Sequence, residues 1–328
     1  MPRMGFVGRR TVRTSAPRLK GYAWMAVAIT IWASWLVLTS SGVTTALSPV
    51  DLAGLRALVP AVVLVPLLWR QRYEVARLGL KKSLFLSLYG APFTLCVGYG
   101  LSYAPVAHAG AMVPSLMPVF VLFIGWIALG QRVSAYQLGS AVLIIAGAAA
   151  IVFHPAEGAR PDNLWIGHGV FLAGAFFWAC FTLTLRQHAI SPFLTTALVG
   201  AISTLCLAPF WVMSGLSTMG AATLPDIAFQ FVFQGVITGL VSLYAFGEAL
   251  RVLGLVATRL SAFTPAVATC LAIPILSQVP DAYEIAAIGL VVGGLLVASL
   301  PAQAARPAAS ERGQSPGHPR CRKSQLPY

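Results

Sequence analysis

The chain has 328 residues, of which 58% are apolar and 9% charged, against roughly 25% charge in an ordinary soluble domain. That composition excludes a water-soluble globular fold. The formal net charge of +13 suggests a nucleic-acid partner only until the cations are located: Arg3, Arg9, Arg10, Arg13, Arg18 and Lys20 sit in one tail and Arg306, Arg312, Arg320, Arg322 and Lys323 in the other, with no folded basic domain to form a groove.

Apolar runs that approach or exceed the ~20 residues needed to cross a bilayer recur along almost the whole length. They are continuous rather than alternating, which argues for helices and against a β-barrel. After a basic tail (1–20), ten spans are predicted at roughly 21–41, 52–69, 84–103, 106–129, 135–153, 165–185, 192–213, 227–250, 254–277 and 283–300. The first is read as an uncleaved span, because no small-residue cleavage site follows it. Pro105 supports a break between spans three and four, since a proline disfavours helix at the residue before it. The fourth span contains Pro114 and Pro118, which remove two N–H donors and predict a kink. A polar connector, 154–164, separates spans five and six, and a Pro-, Ser- and Arg-rich tail (301–328) closes the chain. Cys96, Cys180, Cys206 and Cys270 lie in apolar runs and Cys321 in the tail, with no CxxC or metal-ligand spacing, so they read as buried thiols.

The cations also orient the chain. With the N-terminal tail inside, the inner segments hold Arg70, Arg72, Arg77, Lys81, Lys82, Arg132, Arg186 and Arg251, whereas the outer loops hold Arg160 alone. This is the asymmetry of the positive-inside rule, and it predicts both termini in the cytoplasm. Asp51, Asp226, Asp281 and Glu284 fall at the outer ends.

The two halves repeat. Pro265, Gln278, Tyr283 and Gly294 each lie 147 residues after Pro118, Gln131, Tyr136 and Gly147, and Gly167 and Trp178 lie 146 after Gly21 and Trp32. Five spans per copy, an odd number, force the second copy to insert upside down. The expectation is an all-α polytopic membrane protein of ten transmembrane helices in two inverted five-helix repeats (21–153 and 165–300), the plan that supports alternating access.

Polar residues on helical stripes nominate an interior. Span three carries Tyr99 and Tyr103, span four His108, Met112, Ser115 and Pro118, span eight Gln230, Gln234 and Tyr244, and span nine Ser261 and Pro265. These are the candidate substrate-binding residues, with Tyr99, the deepest tyrosine, foremost. Each also has a plain structural reading: interhelical hydrogen bonding for the glutamines, interfacial hydrogen bonding for His108, and a place in the aromatic belt for Tyr89, Tyr99 and Tyr103. Arg56, Glu248 and Arg259 are candidates for gating or structure. Glu248 and Arg251, three apart, suit a local ion pair, and Arg259 can snorkel to the cytoplasm.

The segments TIWASW (30–35), SPVDLAGLRAL (48–58), LSYAPVAHAGAMVPSLMPVF (101–120), 139–147 and SAFTPAVA (261–268) resemble the EamA-type members of the drug/metabolite transporter superfamily. The resemblance spans about 21–300. It implies a multi-pass transporter of the cytoplasmic (inner) membrane of a bacterium, with no cofactor and no ATP hydrolysis, carrying small metabolites through a cavity lined by spans three, four, eight and nine. Where that family commonly has Glu after spans four and nine, this chain has Gln131 and Gln278. A glutamine can replace a structural cap but cannot titrate.

No GxxxxGK[ST] or HExxH motif is present, so neither an ATP-driven pump nor an enzyme is expected. Two function classes stand. One is a secondary transporter, more an exporter than an importer, moving a small metabolite or amphiphilic solute with a coupling proton or counter-solute. The other is a non-transporting membrane scaffold or receptor-like subunit.

Overall fold

The computed structural model describes residues 15–45, 47–153, 163–188, 190–213 and 215–299. Most of the predicted basic tail (1–14), connector residues 154–162 and the C-terminal tail from 300 lie outside the described residues. Among those described every regular element is helical and no strand occurs.

The first element, α1 (Ser15–Thr45), starts six residues before the predicted span. Next comes α2 (Pro49–Val63), opened by a capping box in which Ser48 and Asp51 satisfy each other's backbone N–H groups. It stops at Leu64 (φ −99°, ψ 8°) and a short α3 (Val65–Arg70) follows. Pro66 has no N–H to offer the Val62 carbonyl, so the predicted span 52–69 is two helices rather than one. The turns α4 (Arg72–Leu78) and α5 (Leu80–Ser87) meet at Gly79, whose φ of +83° suits glycine. A second interruption at 88–90 precedes α6 (Ala91–Leu101), with Pro92 in its first turn.

The predicted break at Pro105 is present: Pro105 is the N-cap of α7 (Val106–Leu129). Pro114 and Pro118 both lie inside this continuous helix, which ends on Gly130 in the left-handed region. Then follow α8 (Ala135–Phe153), α9 (Leu164–His188) and α10 (Pro192–Met213). The predicted eighth span is composite: α11 (Leu224–Gln230) runs into a π-helix (Phe231–Val241) and on into α12 (Ser242–Leu253). The ninth is likewise assembled from α13 (Leu255–Leu260), a 3-10 turn (Ser261–Phe263) and α14 (Thr264–Leu276), with Pro265 in the first turn of α14. The last helix is α15 (Ala282–Ala298), capped by Asp281 and Glu284.

Among the described residues, seven helical stretches are long and apolar enough to cross a membrane: Arg18–Thr44, Leu80–Leu101, Val106–Leu129, Ala135–Phe153, Leu164–Leu185, Pro192–Trp211 and Leu224–Leu253. Ser261–Leu276 and Ala282–Ala298 are shorter apolar helices. Large apolar side chains such as Trp126, Ile127, Leu138 and Phe153 point out of the bundle, a surface that water would not tolerate at this extent.

Helices from the two halves interleave. Against α1 lie α12 and α14; against α9 lie α6 and α7; and α2 packs on α10, α7 on α14 and α8 on α15. Small residues permit the closest crossings. A Cβ added at Gly147 would sit 2.7 Å from the Ala287 carbonyl, and one at Gly294 2.7 Å from Ile144, the small-residue packing of helices in lipid. The main core, around Trp35, Phe93, Val97, Met112, Phe171 and Ala268, occupies the centre of the bundle.

At Gly54 a Cβ would fall 2.1 Å from the Trp211 ring. Gly54→Ala is therefore expected to destabilise the protein by about 1–3 kcal/mol through overpacking, read as a lower melting temperature in detergent; an unchanged melting temperature would show that Trp211 moves aside freely.

Candidate functional site

The middle of the bundle contains a stack of flat groups. The Arg56 guanidinium lies 4.4 Å over the Trp35 ring. Trp35 stacks on Phe93 (5.7 Å), Phe93 on Tyr89 (4.8 Å) and Tyr89 on Phe181 (4.5 Å). Trp178 meets Phe93 edge-on at 5.6 Å and tilts against Tyr89 at 5.7 Å. The phenol of Tyr89 lies beside the guanidinium. Tyr89 lies within the interruption at 88–90 and Phe93, four residues on, in the first turn of α6, and both join the same stack. Trp35 and Phe93 are buried, whereas Arg56, Tyr89, Trp178 and Phe181 keep some accessible surface. The partly accessible members of the stack come from α2, the interruption at 88–90 and α9.

On the other edge of Trp35 sits a chain of amides. The Trp35 indole N–H donates to Gln234 Oε1 (2.9 Å), and Gln234 Nε2 donates to Thr39 Oγ1 and to Gln230 Oε1 (3.1 Å each). Gln230 Nε2 donates in turn to the Leu38 carbonyl (3.1 Å). Both glutamines are buried and spend their hydrogen bonds on α1 and on each other. The π-helix containing Gln234 presses Gly235 against Val59 and Gly239 against Pro60, and wide turns of this kind recur at functional sites.

Two polar clusters close the end of the bundle remote from residues 15 and 299. Asp51 is fully buried, and its carboxylate accepts from Ser48 N–H (3.0 Å), Ser48 Oγ (2.8 Å), Trp211 Nε1 (3.0 Å), Ser217 Oγ (2.6 Å), Thr218 N–H (3.0 Å) and Thr218 Oγ1 (3.2 Å). Six neutral donors hold the charge without a counter-ion, and four of them come from the other half of the chain. The second cluster gathers three helix starts. His108, third in α7, contacts His168 of α9 through Nδ1 (2.9 Å) and Glu284 of α15 through Nε2 (2.9 Å). Two neutral imidazoles and one carboxylate satisfy this chain when each His donates from Nε2. Beside it, Gln278 Oε1 accepts from the Val106 N–H (3.0 Å) and caps α7. Gln131, its counterpart, turns back over Gly125 instead. At Gln278 the side chain performs a capping role that needs no ionisation.

Several predicted site residues meet here and others do not. Met112 packs in the central core, and Ser115 is fully buried with its hydroxyl unpartnered among the described residues. Pro118 flanks them on α7, and Pro265 lies where α14 crosses Gly110. His108 is 1% exposed, with both ring nitrogens engaged in the outer cluster rather than facing an open space. Tyr99 is 36% exposed and lies off the ring stack, which takes Tyr89 instead. Tyr103 is half-buried at the α6–α7 connection, against the start of α9. Tyr244 is 50% exposed and meets Trp24 edge-on. A 100° stripe would align it with the glutamines, but the intervening π-helix advances less per residue and rotates it away. Ser261 begins the 3-10 turn, its carbonyl accepting from Thr264. Glu248 pairs with Arg251 at 2.7 Å, and Arg259 Nε caps the Ser299 carbonyl at 3.0 Å.

Sequence reasoning missed Asp51, His168 and Glu284, which looked like ordinary end-of-helix residues, and Trp35, Phe93, Trp178 and Phe181, which looked like generic apolar filling. The FW and WACF pairs around Phe177 and Phe181 offered an aromatic signal, but no periodicity links residues on separate helices.

Residues 19–153 match the EamA-like transporter family. A solved structure described only as "Crystal structure of protein" is 21% identical, with a TM-score of 0.56 over 87% of this chain and 97% of that one, so the two share a fold. No curated protein matches the chain.

Glu284→Ala would leave buried His108 without its acceptor and is expected to cost about 1–3 kcal/mol, whereas Glu284→Gln, which keeps an acceptor, should cost less. Thermal unfolding of both variants checks this; equal losses would show that the carboxylate geometry rather than the acceptor matters.

Proposed function

We propose, from the match of residues 19–153 to the EamA-like transporter family, that the chain is a secondary transporter. It moves a small metabolite or amphiphilic solute across the cytoplasmic membrane of a bacterium by alternating access between two inverted five-helix units, in the direction of export. Ten spans result if α2 with α3 and α13 with α14 each make one crossing beside the helices already long enough. Both termini are then cytoplasmic, the arrangement that the cation distribution favours.

The observation that carries the reading is the reciprocal packing of the halves. Relating the first five spans to the second five in order, α1 on α12 corresponds to α9 on α6, and α1 on α14 to α9 on α7. The contacts α2–α10, α7–α14 and α8–α15 map onto themselves, as expected about a pseudo-two-fold axis in the membrane plane. The axis passes beside interrupted helices: the break at 88–90 and the π-helix at 231–241 occupy equivalent spans. Irregular backbone at membrane depth is tolerated where it is buried in protein or lines a cavity, and in transporters it marks the solute site. A scaffold or receptor-like subunit needs neither feature.

Rocking would have to separate the halves at the end sealed by Asp51 and by the His108–His168–Glu284 chain. Uptake or counterflow of radiolabelled solutes by proteoliposomes tests the reading, with saturable movement above protein-free vesicles expected. No movement across a panel of carboxylates, amines, nucleosides and amphiphiles would favour the scaffold. Reporter fusions at the two ends check the architecture, and opposite locations of the termini would overturn the inverted arrangement.

A further inference from the structure

The transporter reading leaves one charge in the middle of the bundle without an answer. Each described carboxylate is accounted for. Asp51 is held by six neutral donors. Glu248 is paired with Arg251 and Glu284 with His108. Asp226 accepts from the Thr223 hydroxyl and Asp281 caps α15, while Glu74 is exposed on α4. None pairs with Arg56. The Nη1 atom of Arg56 is buried and lacks a hydrogen-bond partner among the described residues. The guanidinium has one face on Trp35 and one contact with the Tyr89 phenol, and neither carries a negative charge. A cation in a poorly solvated site without a counter-ion costs several kcal/mol, and an intramembrane ionisable group points to function by default.

We propose that Arg56 anchors the transported solute through an oxyanion, and that the solute is an organic monocarboxylate with a flat apolar body. The inference rests on the transporter reading and names the substrate class of the same site. Arginine presents donors in a fork that matches a carboxylate, and Nη1 is one such donor left over. The Tyr89 phenol beside it has an O–H to donate to the same anion. The rings of Tyr89, Trp178 and Phe181, which keep some accessible surface, offer a flat body edge and face contacts. A second charge on the solute would find no partner, because Gln230 and Gln234 are committed to α1 and no further described cation reaches the stack. A neutral solute would leave Arg56 uncompensated.

The test uses the purified full-length protein in detergent, with 3-phenylpropionate, its amide, 2-phenylethylammonium and inorganic phosphate as probes. Only 3-phenylpropionate is expected to raise the melting temperature of the wild type, because a ligand stabilises the state it binds. In Arg56→Gln the ligand-free melting temperature should stay level or rise, since an uncompensated charge has gone, and affinity for 3-phenylpropionate should fall at least about ten-fold. Arg56→Lys, which keeps the charge but loses the fork, should fall between. An Arg56→Gln protein that unfolds or melts well below the Lys variant would assign Arg56 to structure and overturn the proposal, as would equal shifts from the amide or an undiminished carboxylate shift in the Gln variant. Proteoliposome uptake separates the two readings. Carboxylate binding without uptake sinks transport and leaves the anion site, while uptake of neutral or cationic solutes that ignores Arg56 sinks the anion site and leaves transport.

Discussion

A charge removed from water must be answered from within the fold, and this molecule gives three different answers. Asp51 is answered by neutral donors alone, six of them, most contributed by the opposite half of the chain. Glu284 is answered by an imidazole that leans on a second imidazole. Arg56 is answered by ring faces and a phenol, which lower the cost of burial but leave the charge in place. The first two arrangements fasten the halves together. The third leaves a residual attraction at the centre, where the helices are also least regular.

The irregularities have local causes that place the polar groups. Pro66 ends α2 and Pro92 follows the gap at 88–90. The π-helix then lets Gln230, Gln234 and Thr238 all stay buried against α1 and α2. An α-helical pitch would have carried Tyr244 inward with them; the wide turn leaves it beside Trp24. Backbone geometry here decides which side chains share a space.

The helical, membrane-crossing character was legible in the sequence, because continuous apolar runs are properties of one dimension. The break at Pro105 and the ion pair of Glu248 with Arg251 were legible for the same reason, being local. What could not be read were meetings across long separations. Trp35 reaches Gln234 over 199 residues and His108 reaches Glu284 over 176, and nothing in either neighbourhood announces the partner. Stripe reasoning also assumed one pitch throughout, which fails wherever a helix is broken or widened. Depth along the span put Tyr99 ahead of Tyr89, although Tyr89 joins the ring stack.

The Asp51 and His108 clusters lie at the same end of the bundle, and Gln278 adds a third tie there by holding the first N–H of α7. Toward the opposite end Glu248 pairs with Arg251 and Arg259 with Ser299 within one half, and the Ser140 hydroxyl donates across the halves to the Gly294 carbonyl at 2.9 Å. Among the described residues, the hydrogen bonds between halves that involve a carboxylate thus gather at one edge, like a clasp. In the proposed rocking motion, opening that edge would hydrate Asp51 and Glu284, so water uptake there would set how readily the clasp parts.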